Sequence, residues 1–207
     1  MSDALPTHAV RLEAGAGPEN PPCPACGEPL FGWLSAQPGL RGPVRRCESC
    51  GLGVVGESAG PEEALRELDR LGDSPRIANR ASFAASLGGA GWAGLEPGAH
   101  YLFTVESVRR LVAYRDQVVK TRRWAPAAGL AASWQTFLNS VTFGHNVALA
   151  GLGHTEPAKA PKPWQRRIDA LASVVLAIPA LLVAIPVELS GGIVGRGAAI
   201  SLRFELL

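Results

Sequence analysis

Hydrophobic and polar positions change their spacing several times along this chain, and each change marks an element. Leu30-Phe31-Gly32-Trp33-Leu34 and Leu52-Gly53-Val54-Val55 are short apolar runs bounded by glycine and proline, which predicts strands, with a Gln37-Pro38-Gly39 turn between them. Pro61-Glu62-Glu63 then opens a helix with proline and acids in its first turn, Leu65, Leu68 and Leu71 on one face, and Gly72 as its stop. It is short and charged, so it is expected to be a solvated connector. Residues 79–87 predict another short helix. Tyr101-Leu102-Phe103 predicts a strand, and Thr104 caps a helix through Tyr114 whose stripe is Val105, Val108, Leu111 and Val112. Residues 118–124 alternate as a strand, and residues 130–141 predict an amphipathic helix carrying Trp134, Phe137 and Leu138. Residues 200–206 alternate strictly and predict a closing strand.

One segment obeys neither period. Residues 170–187 are eighteen positions without a charge, the lower limit for a membrane-spanning helix. Lys159, Lys162, Arg166 and Arg167 stand just before it, with Trp164 placed as an interfacial anchor, and only Arg196 and Arg203 lie beyond. By the positive-inside rule the N-terminal side is cytoplasmic. Pro179 and Pro186 interrupt the run, and Glu188 and Gly191-Gly192 close it early. A kinked span, a monotopic hairpin and a buried soluble helix all remain open on the sequence.

The chain has four cysteines, arranged as Cys23-Pro-Ala-Cys26 and Cys47-Glu-Ser-Cys50, each pair followed by glycine. Two thiolates three positions apart can grip one tetrahedral ion, and the second pair completes a closed four-sulfur set with no open position for substrate. The reading is a structural zinc ribbon with Cys23, Cys26, Cys47 and Cys50 as ligands. A disulfide scaffold would be cysteine-dense and secreted, but residues 1–20 carry Asp3, Arg11, Glu13 and Glu19 and no apolar core, so they read as a disordered leader.

Composition sharpens this picture. Twenty-four Gly and 17 Pro in 207 residues, with 47 % hydrophobic residues, suit no single compact core. Residues 101–169 hold ten basic against four acidic side chains, residues 57–100 four against seven, and residues 1–56 four against five. The middle of the chain is therefore the basic part, and the segment after it favours an anionic lipid surface as its partner: Arg109, Arg110, Arg115, Lys120, Arg122 and Arg123 with the juxtamembrane cluster. Nucleic acid is the less favoured partner. Arg41, Arg45, Arg46, Phe31 and Trp33 would serve it, but on an acidic ribbon.

Other chemistry is thin. Gly89-Ala90-Gly91-Trp92-Ala93-Gly94 matches a dinucleotide fingerprint in letters, but residues 76–86 read as helix-like rather than as the strand the motif needs. It reads as a turn. Of His8, His100, His145 and His154, only His145 lies in a segment rich in polar groups, with Gln135, Thr136, Asn139 and Asn146, and a capped helix end is its expected role. No catalytic residue is assigned.

The Cys-Pro-x-Cys-Gly and Cys-x-x-Cys-Gly knuckles, followed by His100-Tyr101-Leu102-Phe103-Thr104-Val105-Glu106-Ser107-Val108-Arg109-Arg110-Leu111, resemble bacterial class I S-adenosylmethionine-dependent methyltransferases with an N-terminal zinc ribbon. The resemblance covers roughly residues 21–56 and 100–207. It implies a late strand–helix–strand portion of a Rossmann-like fold, with residues 117–123 as the next strand, and some members continue into an apolar C-terminal stretch. The family's cofactor loop after its first strand, and the acid ending its second, have no counterpart in the roughly 45 residues between the two motifs. S-adenosylmethionine is therefore not expected to bind the isolated chain.

The expectation is an α+β chain: leader 1–20, zinc ribbon 21–56, linker with short helices 57–99, methyltransferase-like remnant 100–163, and membrane-associated helix with terminal strand 164–207. Its expected function is that of a non-catalytic, membrane-associated interaction or accessory module, with the ribbon cytoplasmic and available to a protein partner. The alternatives are a methyltransferase subunit completed by a partner chain, and a nucleic-acid-binding ribbon.

Overall fold

The computed structural model describes residues 20–36, 40–57, 60–72, 74–153 and 162–206. The leader up to residue 19, the Gln37-Pro38-Gly39 turn, His8, His154 and Lys159 lie outside the described residues. The fold is mixed α+β. In chain order it runs β1 (Leu30–Leu34), β2 (Val44–Cys47), β3 (Gly53–Val55), α1 (Pro61–Asp69), β4 (Arg76–Ala78), α2 (Phe83–Gly88), a 3-10 turn (Gly89–Gly91) and β5 (Tyr101–Leu102). It continues with α3 (Val105–Ala113), β6 (Gln117–Trp124), α4 (Pro126–Asn139), α5 (Val147–Gly151), α6 (Pro163–Ile193) and β7 (Ala199–Leu206).

Two sheets result. The first has the order β1-β2-β3-β5 with every pair antiparallel. The second has the order β4-β7-β6, with β7 antiparallel to both neighbours, so β4 and β6 run the same way. The predicted strand–helix–strand stretch is present as β5–α3–β6, but its two strands belong to different sheets. Thr104 caps α3 as expected: its side chain accepts from the Ser107 N–H, and Ser107 returns the bond to the Thr104 N–H.

Two buried clusters tie the ribbon to the rest of the described body. One buried cluster joins Cys23, Cys47 and Cys50 to Leu52 and Val54 of the ribbon, Leu65 and Leu68 of α1, Val108 and Leu111 of α3, and Ile200 and Leu202 of β7. A second packs Val44 and Val55 against Ala84, Ala85, Trp92, Leu95 and Ala198. Neighbours Val54 and Val55 point to opposite clusters, as successive strand residues must, so the first sheet is covered on both faces.

Three expectations are corrected by this packing. Residues 57–99 are not a linker. They supply Leu65, Leu68, Ile77, Trp92 and Leu95 to the core, and Trp92 is fully buried. Helix α1 is not a solvated connector, since Ala64, Leu65 and Leu68 are buried and Glu67 accepts from the N–H groups of His100 and Tyr101 at 3.2 Å. Residues 76–86 begin as a strand, β4. Pairing with β7 overrides their helix-like composition, and the helix starts only after Ser82, whose hydroxyl accepts from the Ala85 N–H. The glycine-rich residues that follow leave α2 as a 3-10 turn, with no strand leading directly into them. The last helix is longer than its apolar run and is continuous through Pro179 and Pro186.

Candidate metal centre and membrane-facing helix

The two Cys-x-x-Cys pairs converge. Cys23 Sγ lies 3.6 Å from Cys50 Sγ and Cys26 Sγ 3.4 Å from Cys47 Sγ, and all four sulfurs fall within 4.8 Å of one another. Four thiolates at about 2.3 Å from one tetrahedral ion stand about 3.8 Å apart, so the set fits a metal without rearrangement. Each knuckle closes by a return bond, from the Gly27 N–H to the Cys23 carbonyl at 2.8 Å and from the Gly51 N–H to the Cys47 carbonyl at 3.0 Å. Both glycines hold φ near +75°, where an L side chain is strained. Gly51 is constrained twice, because a Cβ there would stand 2.9 Å from Thr104 Cγ2.

That contact docks the second knuckle on α3. Thr104 Oγ1 donates to the Cys50 carbonyl at 2.6 Å, Arg110 to Ser49 Oγ, and Arg80 Nε to the Gly51 carbonyl at 2.6 Å. Without an ion, four clustered sulfurs cannot all lose their protons. The hydrogen bond with Cys50, then burial, pushes Cys23 far up, while the same bond pulls Cys50 down to about 6. A bound cation would replace those shared protons. Of the ribbon aromatics, Trp33 lies under the Arg80 guanidinium (4.7 Å) and against Trp92, whereas Phe31 is exposed.

The helical layer carries the opposite arrangement. Only 11 % of the most apolar window of α6 is buried. Val174, Ile178, Leu182 and Ile193 are 76, 70, 67 and 83 % exposed, so this is not a core helix of the described body. The buried stripe is Asp169, Ala180, Ala184, Glu188 and Gly191, spaced to lie on one face against α4. Small residues permit close approach there, and Trp134 Nε1 donates to the Ala177 carbonyl at 2.9 Å.

Two carboxylates fasten the ends of α6 to the body. Asp169, fully buried, accepts from the N–H groups of Phe143 (2.8 Å) and Gly144 (2.9 Å). Glu188, nearly so, accepts from Trp124 Nε1 (2.7 Å), Ser133 Oγ (3.0 Å) and the Ala198 N–H. A Cβ on Gly129 would overlap this carboxylate, which is why glycine stands in the middle of α4. Sequence reading took Glu188 only as the end of the apolar run and did not single out Asp169 as a site. An acid on each side of the uncharged run 170–187 was the available signal.

The basic residues assigned to a lipid surface are mostly occupied. Arg109 and Arg110 pair with Glu106, Arg115 with Asp69, and Lys120 with Glu205, while Arg122 donates to the Gly195 carbonyl. Arg123 has no partner among the described residues. Lys162, Trp164, Arg166 and Arg167 are exposed at the start of α6, and the Trp164 ring meets Phe143 edge-on at 5.5 Å. The helix end expected at His145 is the N-cap position of α5, with the half-buried imidazole just before it. Asn146, at φ 57°, holds that position before α5 and joins Asn139, Gln135 and Ala93 in a satisfied amide network. Compared with protein-family models, curated proteins and solved structures, the chain matches none.

Proposed function

We propose that this chain is a zinc-stabilised accessory protein that lies on a membrane, with α6 in the plane of the interface rather than across the bilayer. The observation that carries this reading is that α6 leaves a broad apolar face bare while both of its ends are held by the same body. Asp169 and Glu188 stand about 28 Å apart along the helix, close to the hydrocarbon thickness of a bilayer. A spanning α6 would drag the Phe143–Gly144 loop, Ser133, Trp124 and Ala198 through the bilayer with it. Lying flat costs none of these bonds and covers the exposed side chains. Lys162, Arg166 and Arg167 then meet anionic headgroups at the N-terminal end.

Zinc is the ion that four cysteine thiolates in a closed set favour, and a thiolate metal site is in keeping with a ribbon on the cytoplasmic face. Among the described residues, β1 beyond Leu30, which donates to the Pro21 carbonyl, pairs in the sheet only with β2, which supports the outer edge of residues 31–34 as the place where a protein partner adds. The test is flotation of the purified chain with anionic vesicles, followed by alkaline carbonate. Flotation that carbonate reverses supports an in-plane helix, carbonate-resistant flotation a spanning one. A detergent-free soluble monomer that ignores vesicles would end the membrane reading.

One observation favours a second reading, a methyltransferase-related subunit completed by another chain. Strands β4 and β6 run in the same direction, joined by a long connection through α2, β5 of the other sheet and α3, and β4 pairs only with β7 among the described residues. Its open edge is where further strands would continue the sheet. Calorimetry with S-adenosylmethionine separates the readings: no binding to the lone chain, and binding only after a partner is added, would favour the second.

A further inference from the structure

The outer face of the β4-β7-β6 sheet concentrates positive charge without using it. Ser201 of β7 is flanked in register by Arg76 of β4 and Arg123 of β6, and Arg203, two residues on, is opposite Thr121. Directly paired residues, and residues two apart on one strand, share a face of the sheet. The three guanidiniums are exposed and, among the described residues, none has an ion pair or hydrogen bond. The hydroxyls of Ser74, Thr121 and Ser201 likewise have no hydrogen-bond partner among the described residues. The carboxylate on this face, Glu205, is held by Lys120 at 2.6 Å and so offers them no counter-charge. A groove of about 440 Å³ runs between these groups, lined by Ser74, Thr121, Arg123, Ser201 and Arg203 beside Trp124.

We infer that this groove binds a phosphoryl group, with Arg123 and Arg203 gripping its oxygens, Arg76 at the rim, and the Ser74, Thr121 and Ser201 hydroxyls donating. Three like charges within two residues of one another on a sheet repel, and a doubly charged anion removes that repulsion while meeting planar donors suited to it. Single Lys or Arg positions on a surface need no explanation. Two unpaired arginines and three unpaired hydroxyls lining a concave site, with a third arginine in register beside it, do. The site goes beyond the membrane reading and does not depend on it. The phosphoryl group has two sources, a phosphate-bearing lipid headgroup or a free phosphate compound.

The test uses the full, zinc-loaded chain in nonionic detergent, titrated with inorganic pyrophosphate at low salt. Wild type is expected to bind saturably. R123Q/R203Q should bind at least about tenfold more weakly, since each charge-assisted contact is worth that much. The charge-matched R70Q/R109Q variant should stay within twofold. Both pairs are exposed, so unchanged melting will show that folding is intact. Flotation with phosphatidylcholine vesicles, with and without phosphatidic acid, then assigns the source. A phosphatidic acid gain lost in R123Q/R203Q supports the headgroup, and a gain it retains, alongside lost pyrophosphate binding, supports a free compound. Absent pyrophosphate binding, equal binding by R123Q/R203Q, or binding of a single-stranded oligonucleotide alone would overturn the site, whatever α6 does with membranes.

Discussion

The ribbon and the α4–α6 layer bury polar atoms in opposite ways. At the ribbon, four sulfurs are gathered within 4.8 Å, and the neighbouring guanidiniums of Arg80 and Arg110 donate to the Gly51 carbonyl and Ser49 Oγ rather than to the sulfurs. In the helical layer, Asp169 and Glu188 are buried just as deeply, yet each is met by N–H and O–H donors from its own chain. The apolar surface shows the reverse. Ribbon side chains such as Leu30, Val44 and Leu52 are fully buried, while α6 exposes Val174, Ile178 and Leu182. One region closes its apolar packing around a set of metal donors, and the other pairs its two buried carboxylates while leaving an apolar helix face bare. On the reading proposed above, a metal answers the deficit of the first region and lipid that of the second.

The largest effect is expected from removing a sulfur. Cys47→Ser should abolish tight zinc binding, because a structural site of this kind contributes on the order of 10–16 kcal/mol of binding to folding. The damage will not stop at the knuckles, since Cys47 shares a core with Leu65, Leu68, Leu111 and Leu202. Loss of sheet and of α1–α3 packing should show together in circular dichroism and thermal melting. Metal analysis of wild type, read per chain, checks the premise; well under one zinc with the fold intact would break the comparison at its ribbon side.

The next effect tests the other deficit. Ile178 and Leu182 lie one turn apart on the bare face of α6. Replacing both with aspartate should lower vesicle binding by at least about 3 kcal/mol, since each loses some 1.5–3 kcal/mol of apolar burial. The soluble fold should be unaffected, because neither side chain is buried. Aggregation or unfolding in place of release would mean that this face is covered by protein.

How much of this was legible follows from the range of the interactions. The sulfur cluster was readable because its ligands come in local pairs, and Thr104 because a cap acts within three residues. Residues 118–124 and 200–206 declared themselves by alternation. What failed depended on distant partners. Three residues of β4 became a strand only because β7 lies beside them, and Trp92 became core only because Val44 and Val55 cover it. The role of Glu188 was equally hidden, since its donors sit 64, 55 and 10 residues away.

A smaller but sharp effect is expected at that carboxylate. Glu188→Ala leaves the Trp124 indole, the Ser133 hydroxyl and the Ala198 N–H without their acceptor in a buried place, which should cost about 3 kcal/mol. Gly129→Ala should destabilise by about 1–3 kcal/mol by pressing a methyl against the same carboxylate. Denaturant midpoints will measure both. A neutral Gly129→Ala would show that α4 and α6 are free to separate, and the claim that both ends of α6 are fixed would fall with it.

The smallest effect is a dependence on pH at the junction of the two regions. Burial pulls the His145 imidazole below its ordinary value, against the opposing hydrogen bond the ring donates to the Trp92 backbone, and its Nε2 has no partner among the described residues. A neutral ring is thus favoured in the fold, while the unfolded chain takes up its proton near pH 6.5. The unfolded state binds more protons below that value, so the stability present above about pH 6.5 is lost as pH falls through the lower folded value. Comparing wild type with His145→Gln removes the contribution of the cysteines, which both proteins share. The difference in melting temperature should be constant above pH 7 and shift against the wild type between pH 6.5 and 5. A flat difference across that range would mean the imidazole is solvated in the fold, and that the α4–α5 turn beside Asp169 is looser than its hydrogen bonds imply.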